Sequence, residues 1–167
     1  MNRATGFAIG LVLVLATAAP VLAAKVNIPK EGKFEFDYCA VGETQPPLVN
    51  GDKVTVSHYR NVANLRTEPA GKPFDRMSSI CYGTYANLDG RQQDFGVCEL
   101  TDEDGDKWYL EYHGSADGAG GTYTAAYGTG KYAGMSVNGR YVLDFWPSAI
   151  KGGFQGCFHN TGTYKLR

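Results

Sequence analysis

From about residue 33 onward, aromatic and β-branched residues alternate with polar ones, and turn-forming pairs interrupt the alternation roughly every dozen residues. Alternation with a period of two puts every second side chain on the same face of an extended chain, so the pattern predicts half-buried strands. The expected strands are 33–41, 53–62, 74–87, 91–100, 107–115, 121–127, 140–146 and 154–166. Helical periodicity is nearly absent. Asn50-Gly51, Asp89-Gly90, Asp104-Gly105, Asp117-Gly118 and Asn138-Gly139 are the expected reversals, because each pair tolerates the positive φ of a tight turn. Short turns make consecutive strands antiparallel neighbours. The exception is 65–73, where Pro69, Gly71 and Pro73 predict a longer loop at the rim.

An open sheet of about eight strands would leave two edges unpaired. The chain must therefore close into an up-and-down barrel or pack as two sheets, and its 22 glycines favour the barrel, where strands bend sharply. A sandwich is the alternative. If Leu88 pairs with Arg91 across Asp89-Gly90, the register puts Cys81 opposite Cys98 at a non-hydrogen-bonded position, where side chains approach most closely. A Cys81–Cys98 bridge then leaves Cys39 to pair with Cys157, tying the first strand to the last, as barrel closure requires. On the chain-entropy model each bridge contributes about 3–5 kcal/mol.

The N-terminus sets the compartment. Arg3, an apolar run over 7–19 and the small residues Ala23 and Ala24 form a secretory signal of 1–24, cleaved after Ala23 or Ala24. The run is shorter than the roughly 20 apolar residues of a spanning helix, and no second run follows. The expected product, 25–167, is one exported domain, periplasmic or secreted, with no integral membrane association. The short, alanine-rich signal has a bacterial character. Four cysteines, all beyond the signal, suit disulfides in an oxidising compartment. Loss of Arg3 leaves 15 basic against 17 acidic residues, a net charge near −2 with the basic residues scattered, which carries no nucleic-acid footprint.

Motifs that would name a reaction fail on inspection. Gly128, Gly130 and Ala133 match the glycine fingerprint of a dinucleotide site, but the chain expected beyond them is a strand, whereas that site needs a helix N-terminus facing the pyrophosphate. A phosphate loop needs Ser or Thr where Tyr132 stands and Gly where Ala125 stands. Asp102, Asp104 and Asp106 cluster oxygens that would suit calcium. An EF-hand, however, needs Gly at its sixth position and Glu at its twelfth, which here are Lys107 and His113, so the segment reads as an acidic turn. Cys157 and His159 share a strand face, as do Glu35, Asp37 and Cys39, and disulfide formation would remove the thiols from any zinc or nucleophile site built there. No catalytic triad context or carboxylate pair stands out, and no cofactor is expected.

The aromatic residues carry the remaining chemistry. Tyr109, Tyr112, Tyr123, Tyr127, Tyr132 and Tyr141 surround the glycine-rich segment and would line an interior with apolar rings and orienting hydroxyls. His58 and His113, near strand ends, are candidates for the mouth of such a cavity. Tyr109, Tyr112, Tyr123, Tyr127, His58 and His113 are therefore the candidate ligand-binding residues.

Phe74-Asp75, Cys81, Cys98, the segment Asp102 to Lys107 and above all Gly128-Thr129-Gly130-Lys131-Tyr132-Ala133-Gly134 give the chain a resemblance to a group of bacterial secreted proteins, similar in fold to the allene oxide cyclase and dirigent barrels. The resemblance covers about 34–166. It implies an eight-stranded, lipocalin-like antiparallel barrel with a central cavity, assembled into oligomers in some members. The plant enzymes' catalytic residues have no matching positions here, so no activity carries over. The leading expectation is a protein binding a small apolar or aromatic ligand in the barrel interior. Its alternatives are a cofactor-independent cyclase or isomerase using the same cavity, and a secreted interaction protein such as a protease inhibitor or envelope component.

Overall fold

The computed structural model describes Val26, residues 28–115 and residues 118–167. The expected signal segment 1–24 and Asp117 of the Asp117-Gly118 turn lie outside the described residues. Among the described residues nine strands follow one another: β1 (Glu31–Thr44), β2 (Leu48–Asn50), β3 (Val54–Arg66), β4 (Ser78–Leu88), β5 (Arg91–Thr101), β6 (Lys107–Gly114), β7 (Gly120–Gly128), β8 (Ser136–Trp146) and β9 (Gly153–Lys165). All pairings are antiparallel. Each long strand pairs with its sequence neighbour, and β1 closes the sheet by pairing with β9 on one side and β3 on the other. The result is an eight-stranded up-and-down barrel, with the three-residue β2 added beside the start of β3.

Two disulfides lie where the pattern put them. Asp89 and Gly90 both have positive φ (54° and 83°), Leu88 pairs with Arg91, and Cys81 falls opposite Cys98 with Cα atoms 4.0 Å apart. Cys39 and Cys157, also 4.0 Å apart at Cα, join β1 to β9. Two bridges fit an oxidising compartment. Among the described residues no helix is long and apolar enough to cross a membrane.

Two local expectations need correction. Asn138-Gly139 is not a turn: both residues lie within β8, paired with Thr163 and Gly162 of β9. A Cβ at Gly139 would run into the Tyr123 ring, so this glycine leaves room for an aromatic side chain instead of reversing the chain. The reversal lies earlier, in Gly128 to Met135, and includes a single 3₁₀ turn, Gly130–Tyr132. The second correction concerns 74–77, expected to be strand. These residues belong to a loop running from Thr67 to Met77, in which Phe74 (φ 69°) and Arg76 (φ 57°) take left-handed conformations.

That loop closes one end of the barrel. Asp75 receives the amides of Thr67 (3.0 Å) and Gly71 (2.8 Å), and this ties the loop into a fixed shape. Burial alone would raise the Asp75 pKa, but the amides of Gly71, Thr67 and Arg76 outweigh it and hold the carboxyl below its ordinary value. With the loop fixed, Phe74 points inward and meets five rings, those of Phe34, Phe36, Trp108, Tyr132 and Tyr164, at centroid distances of 5.2–6.3 Å. Leu65, Met77 and Leu100 complete this buried plug. The glycine-rich segment supplies Tyr132, and Lys131 binds back to Asp102 (2.8 Å) and Asp104 (2.6 Å). A cationic side chain thus sits where the acidic turn offered carboxylates.

Candidate functional site

The other half of the barrel is hollow. A cavity of about 410 Å³ runs from Phe36, Cys81, Cys98 and Leu100, next to the plug, to the strand ends at Thr44, Gln92 and Gly114. Aromatic side chains are the largest group in its wall, and six of them from four strands form a continuous belt. Tyr59 (β3) meets Phe154 (β9) edge-on at 5.6 Å, and Phe154 meets Phe145 (β8) at 6.2 Å. Phe145 meets Phe158 at 5.8 Å, Phe158 meets Tyr141 at 6.3 Å, and Tyr141 meets Tyr112 (β6) at 6.4 Å. The circuit closes where the Tyr112 and Tyr59 hydroxyls hydrogen-bond at 2.5 Å. Edge-to-face contact is the favoured arrangement for such rings, so the belt is a stable wall rather than a loose lining.

Glycines make the belt possible. Gly83 and Gly96 face each other across β4 and β5, and a Cβ on either would collide with the Tyr112 hydroxyl. Their missing side chains give Tyr59 and Tyr112 the space in which to lie across the barrel.

The polar groups inside fall into two sets. Tyr38 donates its hydroxyl proton to Asn61 Oδ1 at 2.6 Å and lies 2.9 Å from Cys81 Sγ; burial pushes its pKa up to about 12. Nearer the open end, Tyr59 donates to Asp94 Oδ1 at 2.6 Å. Asp94 is the only carboxylate among the described lining residues, and no lysine, arginine or histidine lines the cavity with it. Burial raises the Asp94 pKa and the Tyr59 hydrogen bond partly offsets this. Burial also raises Tyr59, Tyr112, Tyr123 and Tyr141, with the Asp94 charge adding to the effect at Tyr59, Tyr112 and Tyr141. These phenols are therefore neutral hydrogen-bonding groups at physiological pH. The Tyr123 hydroxyl is buried with no protein hydrogen-bond partner among the described residues. Both cysteines in the wall are bridged, so the cavity offers no thiol nucleophile or thiol ligand.

Of the six residues singled out by sequence, Tyr112 and Tyr123 line the cavity; Tyr109, Tyr127, His58 and His113 lie on the outer wall. Tyr109 sits between the inward Trp108 and Leu110, so alternation turns it outward, where its hydroxyl donates to Glu99 Oε2 at 2.6 Å. Tyr127 is four residues from the inward Tyr123 and by parity should follow it. The pairing jumps from Leu110–Ala125 to Tyr109–Tyr127, however, and this one-residue bulge inverts the parity and leaves Tyr127 66 % exposed. His58 contacts Thr84 Oγ1 at 2.9 Å outside the barrel, and His113 follows the inward Tyr112 and faces solvent. The structure also brings His159 between Glu35 (3.2 Å) and Asp37 (3.0 Å), all three exposed beside the Cys39–Cys157 bridge. Solvent screens that group strongly.

Sequence reasoning passed over Tyr38, Tyr59, Asp94, Phe145, Phe154 and Phe158. Asp94 and Gly96 do share strand parity with Cys98, so knowing that Cys98 faces inward would have put Asp94 in the interior. What these features define is a plugged, disulfide-bonded antiparallel barrel with an aromatic chamber. Comparison of the chain with protein-family models, with curated proteins and with solved structures returned no match.

Proposed function

We propose that this protein is an exported binding protein that holds a small, largely apolar or aromatic molecule in the open half of its barrel. The chamber carries the reading: about 410 Å³ of space with ten aromatic side chains in its wall lies within the range of small-molecule pockets. The plug supports it, because it confines the empty volume to one end and leaves entry through the other. Export is supported by the signal-like N-terminal sequence together with the two disulfides. Likeness to the allene oxide cyclase and dirigent barrels enters at the level of fold only.

The neutral fluorophore phenylnaphthylamine tests the reading. One molecule per barrel is expected to bind with enhanced emission, and Leu143→Trp, which fills the chamber from β8, is expected to abolish the signal. Failure to bind, or binding that Leu143→Trp leaves unchanged, would refute an interior site.

A further inference from the structure

The chamber's polarity is one-sided. Asp94 Oδ1 is taken by Tyr59, whereas Oδ2 has no hydrogen-bond or ion-pair partner among the described residues. Around it stand the neutral hydroxyls of Tyr59 and Tyr112, the Tyr141 ring, Tyr85 paired across β4, and the bare backbone of Gly114. No side-chain cation among the described lining residues answers the carboxylate. Aromatic faces carry negative potential, so belt and carboxylate together favour positive charge and disfavour negative charge.

We propose that the natural occupant is an organic monocation, an arylalkyl or alkyl amine, whose ammonium group binds Asp94 Oδ2 while its apolar body lies among Phe145, Phe154 and Phe158. The inference rests on the interior-binding reading and names the ligand class for that same chamber. Asp94 is part-buried with one oxygen left without a protein partner among the described residues, and an ammonium placed against that oxygen offsets the cost of its partial desolvation. This accounts for a lone acid in an aromatic wall. An anionic ligand would meet Asp94 and the negative ring faces together. A neutral hydroxyl donor would satisfy Oδ2 without answering its charge.

Three probes sharing one ring system separate these cases: naphthylmethylamine, naphthylmethanol and naphthoate, titrated calorimetrically into the oxidised protein at neutral pH. The amine is expected to bind at least about ten-fold more tightly than the alcohol, with naphthoate weakest. Asp94→Asn keeps an oxygen acceptor for Tyr59 and is expected to bring amine and alcohol within about two-fold of each other, through a loss of amine affinity well beyond any change in the alcohol's. Tyr59→Phe, which keeps the charge, is expected to retain the preference. Equal binding of amine and alcohol by the wild-type protein would overturn the cation assignment and leave the interior-binding reading standing. An alcohol affinity that falls as far as the amine's in Asp94→Asn would show that charge does not set the preference and would also overturn it. Binding of none of the three would refute both readings.

Discussion

Replacing Phe74 with alanine takes the centre out of the plug, and the structure sets how much stability that costs. The side chain is fully buried against five rings. An aromatic side chain buries about 150–250 Å², which at about 25 cal/mol/Å² corresponds to roughly 4–6 kcal/mol, most of it lost on truncation. Whether the neighbours refill the space decides where in that range the loss falls. The loop backbone is pinned by Asp75, by Leu65 N to Met77 O (2.9 Å) and by Arg76 N to Leu65 O (3.1 Å), so it does not collapse into the hole. We expect about 4–5 kcal/mol, the upper part of the range for buried Phe→Ala changes. Phe74→Gly sharpens the test. Relief of the left-handed φ of 69° is worth about 1–2 kcal/mol, against about 0.4–1 kcal/mol of added unfolded-state entropy, so glycine should be no less stable than alanine despite its smaller side chain. Urea unfolding with the disulfides intact measures both, and Trp108, buried against Phe74, reports the transition by fluorescence. A loss under about 2 kcal/mol for Phe74→Ala, or glycine clearly worse than alanine, would refute the plug as described.

Gly96→Ala is expected to cost more than Gly83→Ala, within the roughly 1–3 kcal/mol of overpacked cores, because the Cβ at 96 comes closest to the Tyr82 backbone carbonyl while that at 83 comes closest to tyrosine side chains. Paired thermal melts would show the order, and equal losses would refute it. Asp75→Ala removes charge-assisted bonds to two amides worth about 1.5–3 kcal/mol each, and is expected to destabilise by about 3–6 kcal/mol. Because the folded carboxyl titrates below its unfolded value, the Asp75 contribution is present above that unfolded pKa, about 3.9, and is lost as pH falls through the folded one. The gap in urea midpoints between wild type and variant should therefore hold from about pH 7 to about 4 and narrow only below it. Buried tyrosines act at the opposite extreme. Tyr38, with its folded pKa near 12, contributes stability that is full below about pH 10 and lost as pH rises toward 12. Phenolate absorbance should then lag behind that of the urea-unfolded chain across this window, and coincident curves would contradict the buried geometry.

Period-two alternation, the Asp89-Gly90 turn and four cysteines were enough to determine the eight long strands, their antiparallel order and both disulfides, though not the short β2, since each depends on short-range geometry that the residues impose directly. The chamber was beyond that reach. Parity tells which residues share a face, yet the interior here holds Tyr59, Asn61 and Asp94 as well as apolar rings, so polarity does not mark which face is inward. A bulge between Tyr123 and Tyr127 reversed the parity of one candidate, and Gly139, a turn residue by its dipeptide, became clearance for a ring. Only closure of the sheet decided that Phe74 would plug one end and that Tyr59, Phe154, Phe145, Phe158, Tyr141 and Tyr112 would meet in a belt. Those residues are up to 99 positions apart along the chain, from Tyr59 to Phe158, and are brought together by barrel curvature and register, which no local segment encodes.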